Sequence, residues 1–110
     1  MGKTVGTWYM NDIKTYVVDI DGTICDTPNG NYFSSIPIKE RIKKLNDLFQ
    51  NGNEIIYYTA RGYKSRINWK QLTENQLKEW GCKYNKLVMG KPFGDYYLDD
   101  HNILLKEFFI

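Results

Sequence analysis

The chain is short of most features that would assign it to a special class. It has two cysteines and one histidine in 110 residues. Cys25 and Cys82 are too few for a disulfide framework, and their spacing fits no zinc pattern. Both read as reduced thiols of a cytosolic protein. No apolar run approaches the roughly 20 residues that span a bilayer, and residues 1–10 lack the long apolar stretch of a signal peptide. These absences predict a cytoplasmic protein with no membrane partner. The net charge is only +2, and there is no basic run, which argues against a nucleic-acid partner. There is no repeat and no low-complexity segment.

What is present is ordinary globular composition, 42% apolar and 25% charged. The length predicts one domain over residues 1–110, large enough for a modest core without staples. Residues 1–11 show no clear period and read as a flexible arm. Met10 is an alternative start, with the preceding residues added.

Residues 14–20, KTYVVDI, are β-branched and aromatic around a continuous apolar centre, as in a buried parallel strand. Residues 27–35 are polar and rich in turn formers. Ile38, Ile42, Leu45 and Phe49 then recur at helical spacing, widened by Leu48. Ser35 is the expected cap of this helix, Pro37 suits its first turn, and Gly52 its stop. Residues 54–59, EIIYYT, read as a second buried strand. Residues 65–80 read as a second helix burying Ile67, Trp69, Leu72, Leu77 and Trp80, stopped by Gly81. Residues 86–89 and 96–98 read as short strands, and a last helix is expected over residues 102–109.

Strands alternating with helices predict βαβ units and a parallel sheet. The expected fold is α/β, a three-layer Rossmann-like arrangement with helices on both faces of a small, mostly parallel sheet. Ligands of such sheets bind beyond the carboxyl ends of the strands. Asp19 and Asp21 end the first strand, Thr59 and Arg61 the second, and Asp99 and Asp100 the fourth. Lys91 follows the third. The topology therefore brings these groups to one edge.

Carboxylates gathered there would repel in a low-dielectric site, and a cation resolves the conflict. Magnesium takes oxygen ligands, commonly one or two carboxylates plus a substrate phosphate. An Asp carboxylate can attack phosphorus to form an aspartyl-phosphate. Magnesium and Lys91 can offset the phosphoryl charge, and Asp21 is placed to protonate the leaving oxygen. Thr59 offers a hydroxyl, and backbone N–H groups can cradle the phosphoryl oxygens. Gly22, Thr23, Ala60 and Arg61 are candidate substrate contacts. Arg61 either touches substrate or fixes its loop. Lys64 and Arg66 are either a solvated helix start or phosphate-side contacts. Tyr32 and Phe33 either line the entrance or pack their loop. His101, beside the acidic pair, reads as a surface residue rather than a catalyst.

The string Asp19-Ile20-Asp21-Gly22-Thr23 resembles the first signature of the haloacid dehalogenase superfamily of phosphohydrolases. Thr59 resembles the second, Lys91 in Gly90-Lys91-Pro92 the third, and Asp99-Asp100 the fourth, all in the family's order. The resemblance implies that Asp19 is the nucleophile and a magnesium ligand. It implies that Asp21 is acid and then base, offering its backbone carbonyl to the metal. Thr59 would bind the phosphoryl group, Lys91 would stabilise its charge, and Asp99 and Asp100 would hold magnesium. An Asp at position 21 favours phosphate chemistry over dehalogenation, which has no alkoxide to protonate. Larger relatives carry a cap domain, but residues 21–38 and 59–91 are too short to hold one. An open site admits a bulky substrate or borrows a lid from another copy, and the edges of so small a sheet favour a homo-oligomer.

The function expected is therefore magnesium-dependent hydrolysis of a small phosphorylated substrate such as a sugar phosphate. The alternatives are a phosphatase acting on a nucleic-acid end or a phosphoprotein, and a non-enzymatic phospho-accepting regulatory module. The second Asp, Asp21, speaks against the last.

Overall fold

A computed structural model of the chain describes residues 13–90, 95–98 and 108–109. In chain order these form β1 (Thr15–Asp19), β2 (Cys25–Asp26), β3 (Ile36–Pro37), α1 (Lys39–Gln50), β4 (Glu54–Thr59), α2 (Lys70–Glu79), β5 (Lys86–Met89) and β6 (Tyr96–Leu98). The apolar runs form strands where their patterning predicts them. β1 is one residue shorter at each end than the run that encodes it.

β1 lies inside a four-stranded sheet of order β5-β4-β1-β6, and every pairing in it is parallel. The chain steps from β1 to β4 to β5 in one direction, then returns to place β6 on the far side of β1. The step direction reverses between β1 and β6, and parallel sheets open a crevice at their carboxyl edge where this happens. The register sets Asp19 beside Tyr58 and Val18 beside Leu98, so β1, β4 and β6 finish nearly level.

Strand side chains alternate between faces. Val18, Ile55, Tyr57 and Leu98 share one face, and they form a core with Ile42 and Leu45 of α1 and Leu77 of α2. Both helices therefore pack on the same face, not on opposite faces as expected. The reason is the handedness of the crossovers. Two right-handed connections that step in the same direction must put their helices on the same side. The expected third layer and the helix over 102–109, apart from Phe108 and Phe109, lie outside the described residues, as does the arm over 1–11.

Both helix stops work as expected. The N–H groups of Gly52 and Asn53 bond the carbonyls of Phe49 and Leu48, and those of Gly81 and Cys82 bond Lys78 and Leu77. Glycine suits this cap because its first residue has positive φ. The helix starts differ from expectation. Ile36 and Pro37 pair in antiparallel fashion with Asp26 and Cys25, and the Ile38 N–H bonds the Ile24 carbonyl. Those bonds hold the chain extended past Ser35, so α1 begins only at Lys39 and Ser35 does not cap it; the Ser35 N–H bonds the Tyr32 carbonyl instead. α2 begins at Lys70 rather than near Ser65, because residues 60–69 form a loop. Ile67, expected in the core, is accordingly 55% exposed.

Between β1 and α1 the chain makes only the β2–β3 pair and two single-turn 3-10 helices, Pro28–Gly30 and Tyr32–Ser34. This segment holds no cap domain. Cys25 and Cys82 are both free thiols, as read from their spacing. Among the described residues no helix is long and apolar enough to cross a membrane.

Leu77 is fully buried where α2 meets the sheet. Leu77→Ala should lower unfolding free energy by about 2–5 kcal/mol in urea titration, through lost burial and an uncollapsed cavity.

Candidate functional site

The carboxyl edge of the sheet is organised by one buried cation. Arg61 follows β4 by two residues and is only 3% exposed. All five of its N–H donors find acceptors. Nε bonds Asp21 Oδ2 at 2.9 Å, and Nη2 bonds Asp21 Oδ1 at 2.7 Å. Nη2 also reaches Ser35 Oγ at 3.3 Å. Nη1 bonds Gln76 Oε1 at 2.6 Å and Thr73 Oγ1 at 3.2 Å. The guanidinium carbon lies 4.6 Å from the Tyr32 ring centroid, within cation–π range. The Arg61 backbone N–H bonds Thr59 Oγ1 at 3.1 Å. One residue thus ties the end of β1, the end of β4, the loop before α1 and the inner face of α2.

Asp21 is the acidic half of this arrangement. Besides the two-pronged contact with Arg61, its Oδ1 accepts from Thr27 Oγ1 at 2.6 Å and from the Cys25 thiol at 3.7 Å. Thr27 and Ser35 hydroxyls bond each other at 2.8 Å. Burial alone would raise the Asp21 pKa. The hydrogen bonds from Arg61 and Thr27, with the charge of Arg61, outweigh that and hold it below the usual carboxylate range. The Cys25 thiol moves the other way. Its burial pushes it up to about 11, so it is a protonated donor at neutral pH and not a nucleophile.

Asp19 is half-buried at the end of β1, and its Oδ1 accepts from the Ile20 N–H at 2.9 Å. Thr59 is buried at the end of the adjacent strand. Its hydroxyl accepts from Arg61 and has one proton of its own to donate. Ala60, next in the chain, is exposed. The structure therefore brings Asp19, Asp21, Thr59 and Ala60 to one end of two neighbouring strands, as the sequence predicts. Lys91, Asp99 and Asp100 lie outside the described residues, though β6 ends at Leu98 beside Val18. Among the described residues no group of three metal-binding side chains gathers.

Three of the candidate substrate contacts are placed otherwise. Arg61 fixes its loop, because every donor it has is already taken by protein. Thr23 is fully buried, and its carbonyl accepts from Arg41 Nη1 at 3.0 Å. The N–H of Gly22 is taken by the Cys25 carbonyl at 2.9 Å, and its φ of 84° makes the turn. These two shape the turn that aims Asp21.

Sequence reasoning missed Thr27, Ser35, Thr73 and Gln76. A signal for the last two exists: Trp69, Thr73, Gln76 and Leu77 share one helical stripe, so two polar groups sit among apolar ones. Polar residues on a buried stripe imply a buried partner, and here it is Arg61. Gln76 Nε2 also bonds the Tyr32 carbonyl at 2.6 Å. Trp69 packs edge-on against Tyr32 and Phe33, at 5.0 and 5.4 Å between centroids.

Beside Thr59 a cleft of about 550 Å³ opens between the carboxyl ends of β4 and β5 and the loop over residues 60–69. Gly62 makes that loop possible. Its φ is 85°, and a Cβ there would lie 2.2 Å from the Ile67 carbonyl oxygen, so no other residue fits without the loop opening.

No family model and no curated protein matches the chain. Among solved structures it is similar to a structural-genomics target from Vibrio cholerae, with a TM-score of 0.70, 27% identity and 88% of each chain covered. The likeness runs through most of both chains and bears on the fold.

The Arg61–Asp21 pair makes two testable statements. Arg61→Ala strands the half-buried Asp21 carboxylate and three further hydrogen-bonding partners, Ser35, Thr73 and Gln76, and should cost on the order of 3 kcal/mol in chemical unfolding. Arg61→Lys should recover only part of this, because an ammonium cannot reproduce the planar five-donor fork. The pH dependence has a definite sign. The folded pKa of Asp21 is depressed, so its contribution to stability is full above the ordinary carboxylate pKa of about 4. That contribution is lost as pH falls through this range toward the folded value. Unfolding midpoints measured from about pH 6 down to pH 3 should fall more steeply for the natural chain than for Arg61→Ala.

Proposed function

We propose that the protein is a magnesium-dependent phosphatase of the haloacid dehalogenase type, with a Rossmann-like core, acting on a phosphate monoester through an aspartyl-phosphate on Asp19. The observation that carries this reading is the meeting of Asp19, Asp21 and Thr59 at the carboxyl edge beside the strand-order reversal. The strand order, with β1 between β4 and β6, is that of the first strands of a doubly wound sheet.

In this reading an Asp19 oxygen attacks phosphorus as the bond to the leaving oxygen breaks. Thr59 donates its hydroxyl to a phosphoryl oxygen, and the exposed Ala60 follows it in the chain. Lys91 offsets the negative charge. The leaving oxygen takes a proton from the protonated form of Asp21, which must load that proton from solvent against the pull of Arg61 before each turnover. The same group, now a carboxylate, accepts a proton from the water that cleaves the aspartyl-phosphate and regenerates Asp19. The clamp by Arg61 stabilises the carboxylate form, which is the form the second half-reaction needs. Asp21 Oδ1 accepts from Arg61, Thr27 and Cys25, while among the described residues Oδ2 accepts only from Arg61 Nε, so Oδ2 keeps a lone pair for the proton and the backbone carbonyl is the atom this reading assigns to a cation.

The oxygen donors of this reading are the Asp19 carboxylate and the Asp21 carbonyl, with Asp99 and Asp100 following β6 in sequence. They suit a hard cation such as magnesium, which when bound would neutralise phosphoryl charge. The substrate expected is a small metabolite such as a sugar phosphate.

Purified protein should release inorganic phosphate from an aryl phosphate and from sugar phosphates with magnesium present, and stop when a chelator is added. Asp19→Asn should abolish turnover while leaving the unfolding midpoint nearly unchanged. Full activity in that variant would remove Asp19 as nucleophile. Stable labelling by a phosphodonor without turnover would make the chain a phospho-accepting module instead. Turnover confined to phosphopeptides or end-phosphorylated oligonucleotides would shift the substrate to a macromolecule.

A further inference from the structure

We infer that the cleft beside Thr59 holds the leaving group of the substrate and selects monoesters whose leaving group has a flat ring face and a second anionic group. This rests on the phosphatase reading above and adds the substrate class.

The cleft shares Thr59 and Ala60 with the site of chemistry and runs outward from them toward Tyr63, Arg66, Trp69 and Met89. Its volume of about 550 Å³ lies within the range of small-molecule sites and exceeds what a phosphoryl group fills. Its walls are mostly apolar and aromatic. Tyr32 and Phe33 brace the Trp69 ring edge-on, and Tyr63, which also lines the cleft, is 81% exposed. A braced aromatic ring such as that of Trp69 favours a ligand that presents a ring face of its own.

Charge supplies the second half. Residues 55–73 contain Arg61, Lys64, Arg66 and Lys70 and no acidic residue. Asp21 neutralises Arg61. The other three are exposed, and among the described residues none forms an ion pair. None of the described residues lining the cleft is acidic.

Of these three, Arg66 lines the cleft, and its backbone is left-handed. Its φ is 64°, unusual for a side-chain-bearing residue, and its N–H bonds the Gly62 carbonyl at 2.9 Å. The Arg66 side chain is exposed and forms no ion pair among the described residues, so its charge is open to a ligand in the cleft. A carboxylate or second phosphate on the leaving group would pair with it, in two-pronged fashion if oriented.

The test compares phenyl phosphate, para-carboxyphenyl phosphate and para-phosphophenyl phosphate as substrates of the full chain with magnesium. The variant is Arg66→Asn, since asparagine tolerates the left-handed backbone and removes the charge. The quantity read is the ratio of kcat/KM for each anionic substrate to that for phenyl phosphate. Taking this ratio in both proteins cancels the intrinsic reactivity of the leaving groups. The ratio should fall by about tenfold in Arg66→Asn. The carboxylate and phosphate arms show which anion is preferred. An unchanged ratio in a folded variant overturns the inference, and so does an equal loss on all three substrates.

A second measurement stands apart from turnover. Calorimetry with phenylphosphonate and para-carboxyphenylphosphonate should show tighter binding of the second, with the difference lost in Arg66→Asn. Equal affinities overturn the inference. Preferential binding without turnover of any ester would overturn the phosphatase reading and leave the anion-selective cleft standing.

Discussion

A guanidinium buried at the end of a sheet is expensive to desolvate, and the rest of the site is arranged around meeting that cost. Arg61 can stay buried because each of its five N–H donors has an oxygen to bond, and because Asp21 supplies the counter-charge. Those oxygens come from the turn after β1, the loop before α1 and the inner face of α2. Three parts of the chain, far apart in sequence, are held in one geometry by one side chain. The two polar residues on the buried stripe of α2, Thr73 and Gln76, follow from this.

The same interaction has a chemical consequence. A carboxylate that accepts two N–H bonds from a guanidinium is fixed in rotamer and biased toward its charged form. Under the proposed chemistry, Asp21 is therefore set up first as a base and must gain its proton against the pull of Arg61. Loop geometry extends the arrangement outward. The clasp of Gln76 on the Tyr32 carbonyl and the packing of Trp69 on Tyr32 and Phe33 hold the loop before α1 against the loop after β4. With no cap domain between β1 and α1, these two loops flank the carboxyl edge.

Much of the architecture was legible in the residues. The four strands, both glycine stops and the gathering of Asp19, Asp21 and Thr59 at one edge came from hydrophobic runs and the sheet-edge rule. What was not legible was where each helix begins. Residues 65–69 have apolar spacing that suits a helix, yet Gly62 and Arg66 take positive φ and keep the chain in a loop until Lys70. Ser35 and Pro37 form a persuasive cap signal, yet the pairing of Ile36 and Pro37 with Asp26 and Cys25 holds the chain extended. Local propensity is a weak preference, and a strand pairing or tight loop supplied from elsewhere overrides it.

By itself the sequence determined the class of fold and the edge at which polar groups collect, because both follow from local periodicity and the fixed handedness of crossovers. Only the tertiary structure decided that both helices share a face, that Arg61 is a buried clamp rather than a substrate contact, and that Thr23 and Gly22 serve the turn. These depend on pairings across tens of residues, between Asp21 and Arg61 or Tyr32 and Gln76. No local pattern records which polar side chain will meet which once the chain has closed.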